Sequence, residues 1–586
     1  MLAPRFHWIL PEPVALPLSL IDAGRSRGLD ERLLGLLVRR GVSTEEELER
    51  FFGPPEDALH DPLLLPDAAV FRDRIRWAIG RGERILVFGD FDADGLTGLA
   101  VLVRALRTLG ADVVPYVPSR VDEGHGLSLA ALDAAAAAGA TLIVTVDCGS
   151  TSVAEIEAAR GRGLDVLVTD HHRVPDPMPA AQALVNPHRP DAMYPERGLA
   201  GSGVAFKLAQ LLLADAPRGP AAALDLADLA TIGTVADVAP ILGENRAVAR
   251  LGLVRLRSAP RPGLAALFER AKIDPATIDL ETVGFAIAPR LNAAGRVGEA
   301  FDAAKLLLTD DAAEAAALAD TLELANVTRR DLMKIALAEA RTSPDAVDEA
   351  PATLVHGPWP VGIVGLVAGR LADERGRPAI VGADLGSMIR ASCRGDGRLD
   401  LGAALAACGD LLLRHGGHAG AAGFELPTER WPAFRERFLP LAAAAAVEPE
   451  ASPSLLVDAA IPAKSLGYAL LRDLGRLAPA GTGNPEPLVA VLGLGVVRVR
   501  EVSGGHTQVV LKRDLDVVDG IAFGWPELAT SIREGERVDI VARVVSRRFG
   551  AVESLQLEIR DAAASELRTV DPTPVPPAPP LASLAS

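Results

Sequence analysis

The chain runs to 586 residues, carries a formal net charge of -17 and is 49% hydrophobic with only 4% aromatic residues. That length needs several separate cores, and the composition is that of an ordinary globular chain. The three cysteines, Cys148, Cys393 and Cys408, never form C-x-x-C, which excludes a disulfide framework or thiolate zinc site and predicts a reducing, cytoplasmic setting. Without a basic-then-apolar leader or an unbroken apolar span, no membrane partner is expected. The acidic balance disfavours non-specific duplex binding but leaves room for a local basic channel.

Residues 1–50 are read as an N-terminal segment. From Arg84 short β-branched runs alternate with amphipathic stretches: "RILVFGD" strand, "GLAVLVRALRTLG" helix, "DVVPYVP" strand, "SLAALDAAAAAG" helix, "TLIVTVDCG" strand, "SVAEIEAARGRG" helix, "LDVLVTDHH" strand. Continuous apolar strands between helices predict a doubly wound parallel sheet within residues 51–300, with its chemistry at the carboxyl ends of the strands. An Ala- and Leu-rich run without Gly or Pro predicts a long connecting helix within 301–345. A second α/β domain is expected over 346–450 and a small β-barrel over 451–566. The tail 567–586 is Pro-rich and expected to be disordered. The fold class is thus α/β multidomain with a C-terminal barrel, and no internal repeat is found.

"GDFDADG" places Asp90, Asp92 and Asp94 at alternate positions. An EF-hand loop beginning at Asp90 would need a bidentate Glu where Val101 stands, and it would follow a helix instead of a strand. A haloacid-dehalogenase signature fails as well, because neither Asp90 nor Asp92 has Thr or Val four positions on. Two further strands end in ligand-type residues: Asp147, and then Asp170, His171 and His172. Singly these are a turn, a helix cap and a surface turn. Together, at successive strand ends, they predict one crevice of carboxylates and imidazoles suited to Mn²⁺ or Mg²⁺. Four or five aspartates exceed the needs of one ion, so two are expected, the arrangement of an in-line phosphoryl displacement.

"GDFDADG", "VDCG" and "TDHH" resemble the DHH phosphoesterase superfamily. "LNAAGR" (Leu291 to Arg296), "SCRG" (Ser392 to Gly395), "HGGHAGAAGF" (His415 to Phe424) and "AGTGNPEP" (Ala480 to Pro487) narrow the resemblance to the RecJ family, over about residues 51–561. It implies a parallel-sheet DHH domain, a DHH-associated domain and an OB-type barrel. It also implies 5′-to-3′ hydrolysis of single-stranded DNA to 5′-mononucleotides in DNA repair and recombination, with two Mn²⁺ or Mg²⁺ ions. Asp92, Asp94, Asp147, His171 and Asp237 would be ligands, Asp147 the bridge. Asp90 and Asp170 are each either a ligand or the partner that orients one. His172 either touches the scissile phosphate or acts as general acid, against a purely structural role. Two departures are Phe88, where some members carry a ligand His, and Gly395, where the family continues with Arg-Ser.

Arg290, Asn292 and Arg296 are expected at neighbouring phosphates. Ser392, Arg394, Gly416, Gly417 and His418 are expected around a 5′-terminal phosphate, the glycines exposing backbone N–H groups. Arg547, Arg548 and Phe549, with Arg543, form a basic stretch without a local acid, suited to tracking a strand. The partners implied are a 5′-ended single strand, a single-stranded-DNA-binding protein and a helicase, with a monomeric enzyme. The competing readings are a nanoRNase or cyclic-dinucleotide phosphodiesterase, disfavoured by the barrel, and a non-catalytic replication scaffold, disfavoured by the intact aspartates. Inorganic pyrophosphatase is disfavoured by the extra domains.

Overall fold

The computed structural model describes residues 2–345, 349–445, 453–549 and 552–565. They divide into two compact units, 1–58 with 240–246 and 449–586, and 59–239 with 247–448. The predicted disordered tail, 567–586, lies outside the described residues.

In the second unit the alternating pattern folds as predicted. Strand β1 (Arg84–Gly89) leads into helix α1 (Ala93–Thr108), then β2 (Asp112–Tyr116), α2 (Leu129–Ala137), β3 (Leu142–Val146), α3 (Val153–Gly161), β4 (Asp165–Thr169) and β5 (Ala183–Val185). All pairings are parallel, in the order β2-β1-β3-β4-β5. The second strand therefore crosses to the edge beyond β1, which leaves the three Asp-bearing ends of β1, β3 and β4 side by side. The order reverses between β1 and β3, and at such a switch point flanking loops leave the sheet in opposite directions and open a crevice. Every residue of β3 is buried, as helices on both faces require.

Helices α4 (Gly201–Leu213) and α5 (Ala227–Ala236) follow, then a π-helical turn, Val283–Ile287, running into α6 (Ala288–Val297). The expected long connecting helix is present, preceded by a shorter one. A short helix, Ala300–Leu308, stops before Thr309-Asp310-Asp311, and α7 (Ala312–Thr342) starts where the Asp311 carboxylate accepts from the Glu314 N–H at 2.7 Å. The polar break supplies an N-cap, which a continuous helix cannot use.

The second sheet contains β6 (Thr353–Gly357), β7 (Ala379–Asp384), β8 (Met388–Arg394), β9 (Arg414–Gly417) and β10 (Ala421–Pro427), with α8 (Val361–Arg375) after β6. Its order is β9-β10-β8-β7-β6, parallel only between β6 and β7. Phe424, Phe434 and Phe438 fill its core beside Trp431.

In the first unit β11 (Ala459–Pro462) flanks a barrel of β12 (Val489–Val502), β13 (His506–Arg513), β14 (Asp516–Ala522), β15 (Arg537–Phe549) and β16 (Val552–Ala564). Pairing of β12 with β15 closes it. The N-terminal segment is part of the same unit: strand His7–Ile9 pairs with Ser454–Leu456. Asp561, 0% exposed on β16, accepts from the N–H groups of Arg5 and Phe6 at 3.1 Å and from Trp8 Nε1 at 2.6 Å.

Candidate metal centre and active site

Asp92 is the N-cap of α1, and its Oδ1 accepts from the N–H groups of Asp94 and Gly95 at 3.0 and 3.1 Å. The turn depends on Gly95, since a β-carbon there would stand 2.5 Å from the Asp90 carbonyl oxygen. Asp94, on the first turn of α1, is held from outside: Gly201 and Ser202 at the start of α4 donate their N–H groups to its two carboxylate oxygens at 2.7 and 2.9 Å. Free N–H groups at a helix start suit a carboxylate.

Asp147 leaves β3 in the left-handed region, φ 63, with its N–H donating to the Thr169 carbonyl at 2.9 Å. Its Oδ1 stands 3.0 Å from His171 Nε2, yet both atoms are buried and neither makes a hydrogen bond. Asp94 Oδ2 lies 3.8 Å from the same Nε2, and Asp237 Oδ2 lies 3.8 Å from His171 Nδ1. Ligand atoms of Asp90, Asp92 and Asp147 cluster within 4.8 Å; so do those of Asp94, His171 and Asp237. A third group, Asp147, His171 and His172, shares members with both.

The electrostatics follow from this crowding. Burial and then the neighbouring carboxylates Asp94 and Asp92 push Asp147 well above the usual carboxylate range. Burial raises Asp94, and burial with Asp94 and Asp92 pushes Asp237 up to about 8. Asp170 goes the other way. Against the cost of burial, it is held below the usual range by a hydrogen bond and charge from His172. Its oxygens accept from the N–H groups of Ser150, His171 and His172 and from His172 Nδ1 at 2.8 Å. These bonds fasten the Asp-His-His turn and fix the imidazole of His172, whose hydrogen bond to Asp170 pushes it up to about 9.

The predicted phosphate residues divide. Asn292 turns inward, its Oδ1 accepting from the Ala93 N–H at 2.8 Å, so it braces the start of α1. Arg290 is engaged elsewhere: its Nε bonds Glu323 of α7 at 2.6 Å and Nη1 the Ala286 carbonyl, a helix-to-helix tie. A phosphate contact by Arg290 would require its planar fork to leave that carboxylate. Arg296 and Arg394 differ. Arg296 bonds the Gly362 carbonyl, and Arg394 bonds Ser392 Oγ and the Cys393 carbonyl. Burial and the nearby guanidinium groups of Arg120 and Arg329 lower Arg296 to about 9.

Gly416 and Gly417 end the edge strand of the second sheet and His418 follows them, all three exposed. The expected amide cradle is only partial, because the His418 N–H donates to the Ala421 carbonyl at 2.8 Å and closes a hairpin. The basic stretch on β15 is not free of acids. Arg543 pairs with Glu486 at 2.5 Å and with Glu558, while Arg547 is exposed. Arg548 and Phe549 lie at the end of β15, but their side chains fall outside the described residues.

Sequence reasoning missed Arg120, His125, Gly201 and Ser202. Arg120 stacks 4.0 Å from the Phe91 ring centroid, its Nε buried without a partner, and its neighbours include Asp92, Asp90 and Arg394. Its signal was "SRVDEGHG", a loop leaving the carboxyl edge of the same sheet. "AGSG" carried the other signal, small residues at a helix start that permit close approach: a β-carbon on Gly201 would stand 2.6 Å from Asp147 Oδ1.

Family models match three segments: the DHH family N-terminal domain over 84–234, the DHHA1 domain over 350–444 and the RecJ OB domain over 457–561. The single-stranded-DNA-specific exonuclease RecJ of Escherichia coli is 37% identical over 561 residues, 89% of this chain and 94% of the relative. The chain belongs to the RecJ family. RecJ of Bacillus subtilis is 35% identical over 97% of this chain and 72% of its own length. A crystal structure of RecJ in complex with Mn²⁺ from Thermus thermophilus matches with a TM-score of 0.79 and 33% identity, covering 95% of this chain and 80% of that one. A Mg²⁺ complex from the same organism matches with a TM-score of 0.75 and 31% identity, covering 95% of this chain and 78% of that one.

The crevice fits the divalent ions of the RecJ family. Two donors sharing one octahedral ion at about 2.1 Å stand about 3 Å apart, the spacing of the unbonded Asp147 Oδ1 and His171 Nε2. The donor set is carboxylate with imidazole and contains no thiolate: Cys148 is buried and its thiol is pushed well up by burial. Such a set suits Mn²⁺ and Mg²⁺.

Proposed function

We propose that this chain degrades single-stranded DNA from its 5′ end, releasing 5′-mononucleotides by two-metal hydrolysis. One observation carries the reading: two separate donor groups, Asp90/Asp92/Asp147 and Asp94/His171/Asp237, meet beside half-buried arginines that have no carboxylate hydrogen-bonded to them. Like-charged groups held this way need an anion between them, and a phosphodiester supplies one.

In this mechanism Asp90, Asp92, Asp94, Asp147, His171 and Asp237 would hold the ions. The ions supply charge neutralisation at the phosphoryl group and activation of the attacking water. Asp170 orients His172, leaving Nε2 of that half-exposed ring to donate a proton to a phosphate or leaving oxygen. Arg120, Arg296 and Arg394, with Ser392, would clamp the 5′-terminal phosphate and so set polarity. Arg547 on the barrel would offer the strand a further phosphate contact.

The setting proposed is the cytoplasm, in DNA repair and recombination, with a helicase to unwind duplex and a single-stranded-DNA-binding protein to present the strand. Supporting this, no described helix is long and apolar enough to cross a membrane, and all three cysteines are free. The deciding assay uses end-labelled single- and double-stranded DNA, each polarity, with Mn²⁺ or Mg²⁺. Mononucleotides should appear from 5′-labelled single strands first. Dinucleotide-only cleavage would favour the nanoRNase reading instead.

A further inference from the structure

We propose that His125 is a positioning residue for the metal loop, and that the segment 117–128 carrying it ties the second sheet to Asp90. The inference rests on the proposed metal-dependent function and names a residue that acts through Asp90.

Asp90 is 3% exposed and sits among Asp92, Asp147 and Asp170. Its Oδ1 accepts from the Phe91 N–H at 2.8 Å, and its Oδ2 is 2.7 Å from His125 Nδ1. A buried carboxylate needs hydrogen-bond donors to be held in one orientation. With Nδ1 on Oδ2, the remaining lone pairs of Asp90 are left for the group it forms with Asp92 and Asp147. The imidazole also lies 4.3 Å from the fully buried Phe91 ring, while the Arg120 guanidinium stacks 4.0 Å from the same ring. One aromatic residue inside "GDFDADG" is thus gripped by two side chains of one loop.

That loop is built to hold position. Glu123 accepts from Tyr116 Oη, the Ser119 N–H and Ser128 Oγ, closing the loop across its base. Its outer side is fastened to the second sheet: Arg390 on β8 donates to the Val121 carbonyl at 2.7 Å and is itself held by Glu425. A continuous path therefore runs from β8 through Val121 and His125 to Asp90. Partners behind a ligating carboxylate fix its direction, and their loss typically costs about 10- to 100-fold in metal affinity.

The test separates the ring from its donor. His125→Phe keeps the stack on Phe91 and removes Nδ1; His125→Asn keeps a donor close to Nδ1 and removes the ring. Mn²⁺ binding is measured on the full-length chain by calorimetry and by electron paramagnetic resonance, with thermal melting as the fold control. Expected is a loss of about tenfold or more for one of two ions in His125→Phe, with most of it regained in His125→Asn. Equal losses in both variants, or wild-type affinity in His125→Phe, would overturn the positioning role. Arg390→Met should weaken the same ion less; unchanged affinity there would overturn the tie. A wild-type chain that binds no Mn²⁺ would instead refute the proposed function itself.

Discussion

Asp147 Oδ1 and His171 Nε2 stand 3.0 Å apart, both buried and neither hydrogen-bonded. Two polar atoms aimed at a common point without bonding each other are costly in a protein interior unless a third body joins them. This pair links the ends of β3 and β4, which are far apart in sequence but next to each other in the sheet.

Asp147→Asn should therefore abolish Mn²⁺-dependent nucleotide release while raising the melting temperature of the ion-free protein. Asn is the better variant, because Asp147 has φ 63 and Asn tolerates the left-handed region where Ala is strained. Turnover measured against melting temperature checks both halves. Retained turnover would remove Asp147 from the reaction.

Metal binding should strengthen with pH. The carboxyls of Asp147, Asp94 and Asp237 all have raised affinities for protons, with Asp237 at about 8. In the ion-free protein a carboxyl raised on folding adds stability below its unfolded value, and that contribution is lost as pH rises through the folded value. An ion must displace those protons. The melting-temperature increase given by Mg²⁺ should accordingly be larger at pH 8 than at pH 6, and buffer-dependent calorimetry should show proton release. A pH-independent shift would contradict the crowded-carboxylate account.

The two kinds of arginine should separate kinetically. Losing a charge-assisted hydrogen bond costs about 1.5–3 kcal/mol, so Arg394→Ala should raise KM for 5′-phosphorylated strands about 10- to 150-fold. It should also lower the salt-dependence slope of binding by about 0.7 for each phosphate released. Arg290→Ala should leave KM unchanged and lower stability, since its partner is Glu323. Equal KM effects would mean that Arg290 leaves Glu323 for the substrate.

The N-terminal segment and barrel should melt as one. Asp561 on β16 accepts three hydrogen bonds from Arg5, Phe6 and Trp8. Asp561→Leu should destabilise that unit by about 1.5–3 kcal/mol, the net worth of a hydrogen bond to a charged group. Hydrogen exchange should show faster opening of 2–58 and of the barrel together, with Mn²⁺ affinity unaltered. Protection lost in the barrel alone would separate the two segments.

The sequence by itself determined the parallel sheet and the chemistry of its edge. Unbroken β-branched runs between amphipathic helices have few other ways to bury themselves, and Asp90 to Asp94, Asp147 and Asp170 to His172 all follow such runs. It also carried the barrel, through closely spaced strands between turn residues. Only the tertiary structure decided which strand ends are neighbours, because nothing local in "DVVPYVP" says that this strand crosses to the edge beyond β1. Side-chain commitments were decided there too. Arg290 and Arg296 look alike in "PRLNAAGR", but Glu323 of a distant helix lies within reach of one and not the other. Asp170 became a brace and His125 a contact of Asp90 for the same reason: hydrogen bonds form between atoms close in space, and sequence distance leaves that closeness unspecified.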